Sequence, residues 1–158
     1  MPSRRDILIV VPSLLAISHQ AQAHHGWSSF DQDRPLYLEG TVRAVRWQNP
    51  HAELELEVPV DLRLPAGLAQ RAVPAQTAPV DGRALLAKAA LPTRREKVWT
   101  IELAPLTRIE AWRVAAPVVG DRLSLIGYTF ARERGEPVLR CEYLFVGPQA
   151  YGLRSGPA

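Results

Sequence analysis

His51-Ala52-Glu53-Leu54-Glu55-Leu56-Glu57-Val58 alternates without a break. Ala52, Leu54, Leu56 and Val58 fall on one side of an extended chain, and His51, Glu53, Glu55 and Glu57 on the other. A period of two is that of a β-strand with one face buried and the other in water. Immediately upstream, Gln48-Asn49-Pro50 reads as a turn, because proline fixes its own φ and pushes Asn49 out of the helical region. Before that turn, Leu36 to Trp47 reads as a long strand with Leu38, Val42 and Val45 facing inward. The change of parity along it calls for a bulge or bend near Gly40 to Ala44.

Downstream, the alternation stops. Residues 59–95 are punctuated by Pro59, Pro65, Pro74, Pro79 and Pro92 and hold too few large apolar residues to build a second domain. They read as one long, partly mobile insertion between strands, with a short helix over 81–91 carrying Leu85, Leu86 and Leu91. Strand alternation resumes at Lys97 to Leu103, with Trp99, Ile101 and Leu103 on one face and Val98, Thr100 and Glu102 on the other. Pro105 suits the first turn of a helix bearing Leu106, Ile109 and Trp112 on one stripe. Gly120-Asp121 turns the chain into a fourth strand, Arg122 to Ala131. A charged turn at Arg132 to Glu136 leads to a fifth, Val138 to Val146, with Leu139, Cys141, Tyr143 and Phe145 on one side. From Gly147 onward Gly, Pro and Ser dominate, which predicts a frayed tail. The order strand, strand, strand, helix, strand, strand predicts an all-β fold with one short helix, a five-stranded OB-like Greek-key barrel. A small β-sandwich is the competing arrangement.

The first residues have another character. Arg4 and Arg5 precede an apolar run from Ile7 to Ile17, and Ala21 and Ala23 stand at the positions of a small-residue cleavage site. Residues 1–23 therefore read as a signal peptide, its apolar run shorter than the roughly 20 residues of a membrane span. Ser3-Arg4-Arg5-Asp6-Ile7-Leu8 is similar to a twin-arginine export signal with Ile7 in place of the usual Phe, although ordinary signals carry paired arginines too. Cleavage after Ala23 leaves a single domain over 24–158, exported to the periplasm and without a stable membrane anchor. Losing Arg4, Arg5 and Asp6 takes the formal charge from +3 to +2, a near balance that calls for no nucleic-acid partner. Cys141 is the only cysteine, so no intrachain disulfide forms and the fold must stand on its core.

His24-His25-Gly26-Trp27 after the cut, Leu38-Glu39-Gly40-Thr41-Val42 in the first strand and Trp47-Gln48-Asn49-Pro50-His51 at its end form an ordered set of short motifs. With Gly120-Asp121 and Gly127-Tyr128, they resemble a family of small exported bacterial proteins known only as a domain of unknown function. The resemblance covers most of the mature chain except 59–95. It implies an exported β-domain and carries no established activity.

Of the chain's four histidines, His19 leaves with the leader, so His24, His25 and His51 remain. A free amino-terminal histidine offers its amine and Nδ1 as a chelate. A further imidazole completes an all-nitrogen set, for which copper stands highest among the divalent metals. The α-amine, with a pKa near roughly 8, yields its proton to a metal at neutral pH. Glu53 lies about 7 Å along the strand from His51 on the same face and is a candidate oxygen ligand. The residues thus predict binding of copper or another divalent metal by His24, His25 and His51, without turnover. The alternative is a metal-free periplasmic module that binds a protein or a ligand. No serine stands in a His/Asp context, and Gly-rich phosphate loops are absent. Trp47, Trp99, Tyr128 and Phe130 are candidates for a stacking platform on the barrel face, against the plainer reading that they are core. Cys141 reads as a buried, inert thiol.

Overall fold

A computed structural model of the chain describes residues 26–158. Residues 1–23, read above as a signal peptide, and His24 and His25 lie outside the described residues. Five strands close a mixed barrel: β1 (Leu36–Arg46), β2 (Glu53–Glu57), β3 (Val98–Glu102), β4 (Arg122–Tyr128) and β5 (Val138–Val146). β1 pairs with β4 along its first half and with β2 along its second, both antiparallel. β3 pairs antiparallel with β2 and parallel with β5, which closes the ring. The insertion carries a short helix, α1 (Gly82–Lys88), capped by Asp81, whose Oδ1 accepts from the Ala84 N–H at 2.9 Å. A second, α2 (Leu106–Ala111), lies between β3 and β4, where Pro105 predicts it. Among the described residues no helix is long and apolar enough to cross a membrane.

One strand can serve two neighbours because β1 bends. The pairing skips Arg43 between Val42↔Leu56 and Ala44↔Glu55, so Val42 and Val45 both reach the core, as their spacing requires. Gly40 sits at the crossing, where an added Cβ would lie 2.1 Å from the Glu57 carbonyl oxygen. Only glycine allows β2 that close. Inside the barrel, Leu38, Leu54, Leu56, Trp99, Ile101, Leu125 and Leu139 are fully or almost fully buried.

β5 corrects the expected face. Its pairing with β4 runs Gly127↔Cys141 and then Ile126↔Tyr143, leaving Glu142 as an extra residue. The bulge inverts the alternation, so Leu139 and Cys141 face the barrel core while Tyr143 and Phe145 turn outward. There they join Tyr37 and Ile126, and the insertion covers all four with Leu68 and Leu86. Residues 59–95, expected to be partly mobile, thus pack a second small core on the barrel's outer wall. The tail is also not frayed. β6 (Gln149–Gly152) pairs with β5, and Leu153 is buried in the main core. The Trp112 indole N–H donates to the Ser155 carbonyl at 2.8 Å. Glycine and proline shape this tail into a turn and a strand instead of releasing it.

Candidate functional site

The outer face of the β2–β3 end of the barrel carries a row of polar side chains set by register. Arg46 lies opposite Glu53, Glu53 opposite Glu102, Glu102 opposite Arg140, and Arg140 opposite Tyr128. Directly opposed residues share a face, with Cβ atoms about 5 Å apart. Two carboxylates therefore stand side by side, each nearly buried, with an arginine at either end. Arg46 pairs with Glu53, and Arg140 Nη1 donates to Glu102 Oε2 at 3.1 Å.

His51 enters this row from the turn before β2. The Asn49 side chain accepts from the Leu106 N–H at 3.0 Å, pinning the turn to the start of α2. Ala52 exchanges both backbone hydrogen bonds with the chain at Leu103 and Ala104. His51 Nε2 lies 3.0 Å from Arg140 Nη2. A guanidinium only donates, so Nε2 accepts and the ring proton belongs on Nδ1. A metal held by His51 costs the Arg140 contact at either nitrogen: at Nε2 it takes the lone pair, and at Nδ1 it leaves the ring proton on Nε2, facing a donor.

Arg140 is 4% exposed, and its Nε finds no hydrogen-bond partner among the described residues. Its charge is met by Glu102 on one side and by an aromatic face on the other. The Trp27 ring stands 5.1 Å from its Cζ and 4.1 Å from that of Arg154. Tyr128 meets the same indole edge to face, at 6.3 Å between centroids. Burial, and after it the Glu142 charge, push the Tyr128 hydroxyl up to about 12. Arg154 is held by Glu142 through Nε and Nη2 at 2.8 and 2.7 Å, and Gln76 donates to the other oxygen of that fully buried carboxylate at 3.0 Å. Gln32 closes the clamp. It accepts from Arg154 Nη1 at 2.9 Å and donates to the Trp27 carbonyl at 3.1 Å. The arm, the insertion and the tail are thus tied together beside His51. Burial, with the Arg140 charge second, lowers the nearby Arg108 guanidinium from its ordinary value.

Among the described residues no group of three or more His, Cys, Asp or Glu side chains is arranged to hold a metal ion. Of the three predicted ligands the structure places His51 alone. Glu53 shares its face, but with Arg46 as an ionic partner. The proposed aromatic platform does not assemble. Trp99 is in the barrel core, Trp47 packs at its margin, Tyr128 meets Trp27, and Phe130 stacks on Phe30 at 5.1 Å. Cys141 is fully buried, and that burial pushes its thiol well above the ordinary value. Glu102 and Arg140 escape a reading of the sequence, because only the parallel β3–β5 pairing brings them together.

No curated protein and no solved structure matches the chain at a significant level. The matched stretch of the family comparison begins at residue 11 and ends inside the insertion, short of the extent that the motifs suggested. Residues 11–67 match a family of unknown function (DUF6152).

Proposed function

We propose that the chain is an exported, periplasmic barrel protein that binds a divalent metal, copper(II) foremost, through His24, His25 and His51. Its role on this reading is metal handling and not turnover. One observation carries it: Trp27 packs against the guanidinium that hydrogen-bonds His51. The reading asks that two or three residues of chain, which span at most about 11 Å when extended, bring the histidines before Trp27 to the His51 ring. Imidazole nitrogens joined to a free α-amine favour copper over the other divalent metals. Arg140 does not forbid the cation, because Glu102 offsets its charge.

The test is a copper(II) titration, against a competing chelator, of three proteins: one beginning at His24, one with a single glycine ahead of His24, and His51→Ala. The reading expects submicromolar binding by the first and a loss of about 100-fold, near 2.7 kcal/mol, in each of the others. Equal, weak binding by all three would remove the metal and leave a metal-free module that binds a periplasmic protein or ligand.

A further inference from the structure

His51 and Arg140 meet across 89 residues of sequence, and the bond between them is not an ion pair. His51 is half-buried at the end of the turn before β2, with Nε2 3.0 Å from Arg140 Nη2. A guanidinium keeps its protons in a protein, so it never turns acceptor and the donor in this bond is fixed. Arg140 also has little room to step aside. It is 4% exposed, Nη1 is held by Glu102 at 3.1 Å, and the Trp27 ring lies 5.1 Å from its Cζ. Glu102 offsets the charge of Arg140 but not its hold on the Nε2 lone pair. A metal arriving at His51 therefore has to break a charge-assisted hydrogen bond, whichever ring nitrogen it takes.

On the reading that His51 is a metal ligand, we propose that Arg140 sets how tightly the metal is held: its guanidinium competes with the metal for His51 and keeps loading reversible. The same bond gives the metal-free ring one tautomer and one orientation, so the ligand stands in place but capped. Such competition lowers the affinity of every divalent metal by a similar factor. Copper, highest in the series, stays bound, and the weaker binders are shed first. That suits a protein that hands its metal on.

Arg140→Met/Glu102→Gln tests this, because it removes the guanidinium without changing the net charge around His51. In copper(II) titrations against a competing chelator, the double variant should bind about tenfold tighter than the parent, the factor that a hydrogen bond to a charged group implies. A long-range ¹H–¹⁵N spectrum of the metal-free protein gives a readout that needs no metal, with the His51 ring assigned as the one that His51→Ala removes. In the parent the proton should sit on Nδ1 alone, and in the double variant the Nε2–H form should appear beside it. An Arg140 that only supports the fold would move neither the affinity nor the tautomer. Copper bound as well by His51→Ala as by the parent would remove the metal reading, and this role of Arg140 with it. Binding that depends on His51 but is no tighter in the double variant, or a parent ring protonated on Nε2, overturns the competition alone. Should the double variant fail to fold, the parent's tautomer decides: Nδ1–H upholds the competition and Nε2–H ends it.

Discussion

Replacing Arg140 by methionine tests whether the charged row holds the barrel together. Methionine keeps most of the side chain's length and apolar contact but removes the guanidinium. Glu102 would then sit 8% exposed, directly across from the equally buried Glu53, without its 3.1 Å partner. Removing one member of a buried pair costs about 3–5 kcal/mol, mostly from the charge left behind. The lower end applies here, because the Glu102 side chain keeps 11% of its exposure at the barrel surface. Against a total stability of about 5–15 kcal/mol, a loss of about 3 kcal/mol is large. Urea unfolding of the protein followed by tryptophan fluorescence measures it directly. The double variant Arg140→Met/Glu102→Gln removes the stranded charge as well. It should recover at least about 1–2 kcal/mol, a coupling of the size seen between contacting groups. Two results would refute this reasoning: a single variant within about 0.5 kcal/mol of the parent, or a double variant whose cost is the plain sum of the two singles.

Gly40→Ala should destabilise by about 2–3 kcal/mol, since its Cβ would meet the Glu57 carbonyl at 2.1 Å, whereas Gly67→Ala, with nothing within 4 Å, should change little; thermal melts compare them. Burial pushes the Glu133 carboxyl up, but the Arg94 and Thr93 N–H groups and the Arg34 charge outweigh it and hold the group below its ordinary value. Its stabilisation is therefore present above the unfolded carboxylate pKa, near roughly 4.3, and disappears as pH falls through the lower folded value. Glu133→Gln should accordingly flatten the acid limb of a stability–pH curve, and an unchanged limb would count against the assignment. The Cys141 thiol should ignore Ellman's reagent in the native protein and react stoichiometrically in denaturant; rapid native labelling would contradict its burial.

The strands were legible wherever a single face stays buried along the whole run. Leu54 and Leu56 against Glu55 and Glu57 needed nothing beyond their alternation, and the bend in β1 announced itself when Leu38, Val42 and Val45 failed to keep one parity. β5 was opaque for the opposite reason. Leu139, Cys141, Tyr143 and Phe145 keep perfect parity, yet the strand changes sides beneath them at Glu142. An apolar residue reads alike whichever of two cores it enters, so the second core left no trace in the periodicity. Of the candidate site, His51 and its turn were readable because they are local. The Arg140–Glu102 contact spans 38 residues and exists only once the barrel closes. The tail misled because Gly147 and Pro148 mark a tight turn as readily as a loose end.

The extra residue in β5 also governs how the molecule comes apart. Leu139 and Cys141 belong to one core and Tyr143 and Phe145 to the other, so the two share a single run of backbone. A loss of β5 register therefore disturbs both cores together, and hydrogen exchange from the insertion helix is expected to track global opening; exchange well ahead of the barrel would show a detachable flap. A deletion of Glu142 alone would keep Leu139 and Cys141 on one side and Tyr143 and Phe145 on the other, now by plain alternation, and would remove the buried carboxylate that Arg154 and Gln76 share.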